Sequence, residues 1–253
     1  MIDESLSAIS SPIHRLDPRP RILAAVAFAV FIALSGKFVI AGAGLALGLA
    51  LVTLARAPWR TLAGRLAAVN GFILFLWLFL PFTEAGAPLG QLGPLTATRE
   101  GVLHATLITM KCNAIVLTVM ALMATIEIVR FGHALHHLYV PDKLVHLFLF
   151  TVRYAHVFSA EHHRLATAMK ARGFRPRTDV RTLRMFGYLV GMLLVRSFDR
   201  SDRIMAAMKC RGFRGTLWMI HHFHWARRDA VFACVAALFL VGLGWLQWAT
   251  AIR

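Results

Sequence analysis

Residues 38–55 read Phe-Val-Ile-Ala-Gly-Ala-Gly-Leu-Ala-Leu-Gly-Leu-Ala-Leu-Val-Thr-Leu-Ala, eighteen positions without a charge. About 20 mainly apolar residues, with a working range of about 17–25, carry a helix across roughly 30 Å of hydrocarbon. The stretch predicts a membrane-spanning helix, and runs of the same kind recur. Residues 22–35 are apolar but short, so they need flanking residues or local thinning to reach across. Residues 66–82 form a third run with Asn70 and Gly71 inside it, and residues 101–126 a fourth carrying His104, Lys111 and Asn113. Residues 231–249 are the last and cleanest. Five spans are expected.

Composition agrees. Of 253 residues, 58% are apolar, and the mean hydropathy is +0.64; soluble domains average roughly 45–50% apolar. An ordinary soluble globule is excluded. Three cysteines are too few for a secreted disulfide scaffold. A cleaved signal peptide fits the first run poorly, because Asp3, Glu4 and Asp17 precede it and the small-residue site at residues 33–35 is weak. Against the apolar content stand 28 Lys+Arg and 12 Asp+Glu, a net charge of +16. A bare bundle of spans does not carry that charge.

The basic residues orient the spans. Arg15, Arg19 and Arg21 precede the first, and Arg56, Arg60 and Arg65 lie between the second and third. The Gly/Pro-rich loop 84–100 holds only Arg99, and Lys37 stands alone between the first two spans. An N-terminus in the cytoplasm puts every basic cluster inside. Attraction to anionic lipid then accounts for much of the charge, and nucleic-acid binding is not expected, since no base-reading fold is visible.

Residues 130–228 hold 18 Lys+Arg against five acids, yet keep a helical period. Leu144, Leu147, Phe148 and Thr151 share one face, as do Leu183, Phe186, Leu189, Val190 and Leu193. One helix is expected from about residue 144 to 172, stopped by Gly173 and Pro176. A second is expected from about 180 to 211, with Thr178 or Asp179 as cap and Gly212 as stop. Each would be on the order of 45 Å long, apolar at its start and charged at its end. Glu161 with Arg164, and Asp199 with Arg203, have favourable pair spacings. The domains expected are residues 1–128 (membrane), 129–228 (long helices at the membrane face or in the cytoplasm) and 229–253 (the last span).

The two helix ends are near copies. Residues 168–175 read Ala-Met-Lys-Ala-Arg-Gly-Phe-Arg, and residues 207–214 read Ala-Met-Lys-Cys-Arg-Gly-Phe-Arg. The offset is 39, seven of eight positions match, and Arg164 stands opposite Arg203. Two identical ends suit two identical receptors. Arg172 and Arg211 close the last turns, where a cation suits the helix dipole and a guanidinium fork can hold a carboxylate. Ala171 and Cys210 keep the flank small, Gly173 and Gly212 permit a left-handed turn, and Phe174 and Phe213 offer an apolar anchor beside the charge. Ala168, Lys170, Ala207 and Lys209 flank and support this surface. The plainer reading is two ordinary basic helix ends lying against anionic lipid.

Paired Ala-Arg-Gly-type motifs ending long helices of a five-span protein resemble the T component of energy-coupling factor transporters. The lead-in His14-Arg15-Leu16-Asp17-Pro18-Arg19 resembles the CbiQ branch, which serves cobalt uptake. The resemblance implies an all-α integral membrane protein of about five transmembrane helices plus a cytoplasmic domain of long coupling helices. It implies a non-catalytic scaffold in the bacterial plasma (inner) membrane. Its coupling helices would dock on two ABC-type ATPases, and it would hold a separate substrate-binding, CbiM-like membrane subunit. ATP and Mg would sit on the ATPases and no cofactor on this chain. Ala171-Arg172-Gly173 and Cys210-Arg211-Gly212 fall at the two docks, with Cys210 where the family usually has Ala. Nickel or a vitamin is the alternative cargo to cobalt. A membrane-embedded enzyme acting on lipid or an isoprenoid is the alternative of another class, but gives no reason for a doubled motif.

No Gly-x-x-x-x-Gly-Lys-Ser/Thr loop, nucleophile elbow or His-Glu-x-x-His occurs in the sequence. The 12 histidines include His133, His136 and His137, His162 and His163, and His221, His222 and His224. With only Glu161 near any of these clusters, they are read as interfacial rather than metal ligands. Lys111 is read as a polar contact within the bundle, with a residue facing another subunit as the alternative; Cys112 and Cys234 are read as buried small hydrophobes, and Gly42, Gly44 and Gly48 as close-packing positions within the chain, with a subunit contact as the alternative.

Overall fold

The computed structural model describes residues 16–56, 58–84, 86–92, 95–214 and 227–249. Their elements are α1 (Pro18–Leu34), α2 (Phe38–Ala55), α3 (Trp59–Thr83), β1 (Pro88–Leu92), β2 (Leu95–Thr98), α4 (Arg99–Leu122), α5 (Ile128–His137), α6 (Asp142–Ala171), α7 (Val180–Cys210) and α8 (Arg227–Ala249). The chain is an all-α membrane protein with one small hairpin. The described parts of residues 2–131 and 223–253 form one compact unit, and those of residues 132–222 another.

Four described helices, α2, α3, α4 and α8, are long and apolar enough to cross a membrane. The 17 residues of α1 reach about 25 Å, short of a full hydrocarbon layer. Within this unit α4 is the hub, packing against α1, α2 and α3, while α8 packs on α1 and α2. The buried stripe of α2 is Ile40, Ala41, Gly44, Gly48, Val52 and Ala55, one face of a 3.6-residue period. Gly44 faces Ile32 and Phe28 of α1, and Gly48 faces Leu117, Ala114 and Thr118 of α4. These small positions thus serve packing inside the chain.

Polar side chains join the spans. Asn70 and Asn113 exchange amide hydrogen bonds of 3.2 and 3.0 Å between α3 and α4. The Trp77 indole N–H donates to Thr109 Oγ1 at 3.0 Å. Lys111 Nζ donates to the Ala33 carbonyl at 3.3 Å, so the mid-span cation serves the α1 end, as a structural contact.

The start of α1 explains the Leu16-Asp17-Pro18-Arg19 sequence. The Asp17 carboxylate accepts from the Arg19 N–H at 3.1 Å, and Pro18 and Pro20 fill first-turn positions whose N–H would otherwise go unused. The Asp17 backbone N–H donates to Asp229 Oδ1 on α8 at 2.8 Å. One turn further, the buried Arg21 donates to the Leu122 carbonyl at 2.6 Å and to the Thr125 hydroxyl. It thereby satisfies a carbonyl that the end of α4 leaves without an intrahelical partner. His14 and Arg15 lie outside the described residues.

Two expectations need correction. Residues 84–100 are not a plain loop: β1 and β2 pair antiparallel, Gly90 opposite Ala97 and Leu92 opposite Leu95. Thr98 then turns the hairpin into α4. Its hydroxyl donates to the Glu84 carbonyl at 2.9 Å and accepts from the Gly101 N–H at 3.4 Å. The cysteines are not buried: Cys112 is half-buried and Cys234 exposed. On α8 the buried residues are Asp229 and Leu243, while Val231, Val235, Leu238, Val241, Trp245 and Trp248 face outward. An apolar solvent accepts such a face, so hydrophobic character does not mark the inside of the bundle.

Candidate functional site

The repeated octapeptide closes α6 and α7 in the same way. At the end of α6 the Gly173 N–H donates to the Lys170 carbonyl at 3.0 Å, and the Phe174 N–H to the Met169 carbonyl at 3.1 Å. At the end of α7 the Gly212 N–H donates to Lys209 and the Phe213 N–H to Met208, both at 3.0 Å. These paired bonds, with φ of +80° at Gly173 and +83° at Gly212, are a Schellman ending. The motif therefore divides. Gly supplies the left-handed residue, and Met and Phe take the two positions that pack together in this motif.

The rest of the motif is left outward. Ala168, Lys170, Ala171, Arg172 and Gly173 are exposed, and so are Ala207, Lys209, Cys210, Arg211 and Gly212. Neither Arg172 nor Arg211 has an ion pair or side-chain hydrogen bond among the described residues. Each guanidinium stands at the negative end of a helix dipole with its donors unused. Phe174 and Phe213 are both half-buried. Phe174 stacks edge-on against Phe186 of α7 at 6.0 Å. Phe213 lines, with Met208, Tyr154 and Phe150, an apolar cavity of about 460 Å3 between α6 and α7. The Schellman turn folds each ring back on the helix pair.

Gly173 and Gly212 have nothing within 4 Å of where a Cβ would stand, so an alanine meets backbone strain alone. A left-handed alanine costs roughly 1–2 kcal/mol. Gly173→Ala should therefore speed amide exchange at Phe174 by about tenfold. Gly173→Asn, which tolerates this conformation better, should speed it less.

The brace between the helices was only half legible. Glu161, nearly buried on α6, accepts from Arg164 at 3.5 Å as the spacing predicts, but also from Arg196 of α7. The expected Asp199–Arg203 pair does not form; both side chains are exposed. Asp179 sits at the N-cap of α7 without a side-chain capping bond, while the Arg177 N–H is taken by the Thr182 hydroxyl at 3.1 Å. The apolar faces read from the sequence are largely uncovered: Leu144, Leu147, Leu183, Phe186 and Val190 are exposed, whereas Leu189 is buried.

His136 pairs with Asp142 at 3.0 Å, a carboxylate not credited to that cluster, and His104 with Glu84 at 2.6 Å. Among the described residues no three His, Cys, Asp or Glu side chains gather as a metal site. His221, His222 and His224 lie outside the described residues.

A family model described as CbiQ, cobalt transport protein, matches residues 9–222. The chain is 30% identical over 217 residues to the energy-coupling factor transporter transmembrane protein EcfT of Streptococcus equi, covering 81% of each chain. It is 25% identical over 251 residues to the EcfT of Brevibacillus brevis, covering 94% of each. The EcfT of Listeria innocua is 26% identical over 217 residues, with 81% of this chain and 82% of the relative covered.

Proposed function

The chain belongs to the CbiQ family, as a multi-pass transmembrane T component of an energy-coupling factor transporter, and from that footing we propose that its two Arg-tipped helix ends dock on two ABC-type ATPases. The observation that carries this reading is the doubled ending: two helices close with the same Schellman geometry and leave the same arginine without a side-chain partner among the described residues. One such end is an ordinary helix terminus. Two identical ones match a pair of identical receptors, and the exposed apolar faces of α6 and α7 supply area for partners.

Ala171-Arg172-Gly173 enters one ATPase and Cys210-Arg211-Gly212 the other, with Lys170 and Lys209 beside them and Ala168 and Ala207 keeping the approach open. Cys210 does the work of a small apolar residue. ATP and Mg stay on the ATPases, and the chain itself is a non-catalytic scaffold. ATP-driven closing and parting of the ATPases moves the helix ends. Transport follows if the two arrangements of α6 and α7 differ in affinity for a CbiM-like substrate-binding membrane subunit. Cobalt, feeding cobalamin biosynthesis, is the proposed cargo, in keeping with the family description; nickel or a vitamin would change the cargo and not the coupling. The chain lies in the bacterial plasma (inner) membrane with a cytoplasmic N-terminus and its basic segments against anionic lipid.

Co-expression with the partner subunits, followed by native mass measurement, tests this. Two ATPase copies per chain are expected; one copy or none overturns the reading.

A further inference from the structure

A second cavity, of about 260 Å3, opens where α6 meets α7, and its wall is unlike the apolar one. Four guanidiniums line it, Arg164, Arg196, Arg200 and Arg203, against the carboxylates of Glu161 and Asp199. The repeat offset of 39 superposes Glu161 on Arg200 and Arg164 on Arg203. The cavity is thus lined by equivalent positions of the two repeats, with one carboxylate exchanged for a guanidinium.

The charges do not balance. Glu161 is already taken by Arg196 and Arg164. Asp199 makes no ion pair among the described residues, and neither do Arg200, which is half-buried, and Arg203. Four guanidiniums against two carboxylates leave two positive charges uncompensated. Gathering them around a cavity raises the local positive potential, which an entering anion would relieve. A carboxylate presents one edge to one fork, whereas a tetrahedral phosphate accepts from several arginines at once. Phe158 and Leu193 form an apolar part of the same wall, suited to the ester side of a phosphate group.

We propose that this cavity is a binding site for a phosphate group, with Arg200 and Arg203 as its principal donors and the Glu161–Arg196–Arg164 cluster holding the walls. Arg172 and Arg211 do not line it, so the site stands or falls apart from the docking of ATPases. The phosphate belongs to an anionic phospholipid headgroup or is a free phosphate, and two probes separate these sources.

The experiment uses the full purified chain. Inorganic phosphate is titrated in detergent solution against chloride, and lipid binding is compared in phosphatidylcholine nanodiscs with and without phosphatidylglycerol. Arg200→Gln/Arg203→Gln should weaken binding about a hundredfold, with about tenfold as the least acceptable loss. The control Arg181→Gln/Arg184→Gln removes the same charge from exposed positions at the start of α7 and should change binding less than about twofold. Loss confined to phosphatidylglycerol supports a headgroup site, and loss extending to inorganic phosphate supports a free-phosphate site. Circular dichroism should match wild type, because neither the Arg200 nor the Arg203 side chain makes a hydrogen bond or ion pair to another described residue. The proposal is overturned if neither probe binds, or if the control pair loses as much as the pocket pair.

Discussion

Arg172→Ala/Arg211→Ala should abolish recovery of ATPase subunits with the chain, and with it ATP-driven transport. Interface arginines in desolvated pockets cost about 2–4 kcal/mol when truncated, roughly 30- to 1,000-fold in affinity per site. The two guanidiniums make no ion pair or side-chain hydrogen bond among the described residues. Truncating them should leave the chain's own stability within about 0.5 kcal/mol. Each single variant should lower the ATPase count from two to one, a readout that general destabilisation would not give. Arg172→Lys keeps the charge but loses the planar fork, and should fall between wild type and alanine. Retention of both ATPase copies by the double variant, with undiminished activity, would falsify the docking assignment.

A feature of this chain is legible in its sequence to the degree that its cause is local. Residues 38–55 match the bounds of α2, because a charge-free run leaves lipid as the one suitable solvent. The ends of α6 and α7 were legible because a Gly supplies the left-handed residue at the point of closure. Long-range pairing was not legible. Arg21 reads as one more inside charge, yet its acceptors Leu122 and Thr125 lie about a hundred residues along the chain. Glu161 showed its neighbour Arg164 but not Arg196, 35 positions on. The hairpin was hidden by its own Gly and Pro residues, which mark a turn without showing that the strands pair. Phe174 and Phe213 have a second role of the same hidden kind: an aromatic beside an arginine signals an interface, and the same ring after a left-handed Gly also serves the helix cap.

The second large effect concerns the membrane unit. Gly48→Leu should prevent α2 from seating on α4. A Cβ at Gly48 would stand 3.0 Å from Leu117 Cβ and 3.2 Å from the Ala114 carbonyl oxygen. The obstacle is therefore main chain and the stem of a side chain, neither of which can turn aside. Overpacking of this kind costs about 1–3 kcal/mol where neighbours can shift, and more where they cannot. Because α4 also holds α1 and α3, displacing it disturbs the whole helical unit rather than one contact. The expected result is a collapsed yield of monodisperse chain in detergent and a melting point lowered by several degrees or more. Gly64→Leu on α3 is the matched control. It adds the same side chain at an exposed position with nothing within 4 Å, so it meets no clash within the chain. Equal stability of the two variants would mean that α2 and α4 do not pack through Gly48. Gly48→Ala should lie between, since it brings the Cβ contact without the rest of the leucine.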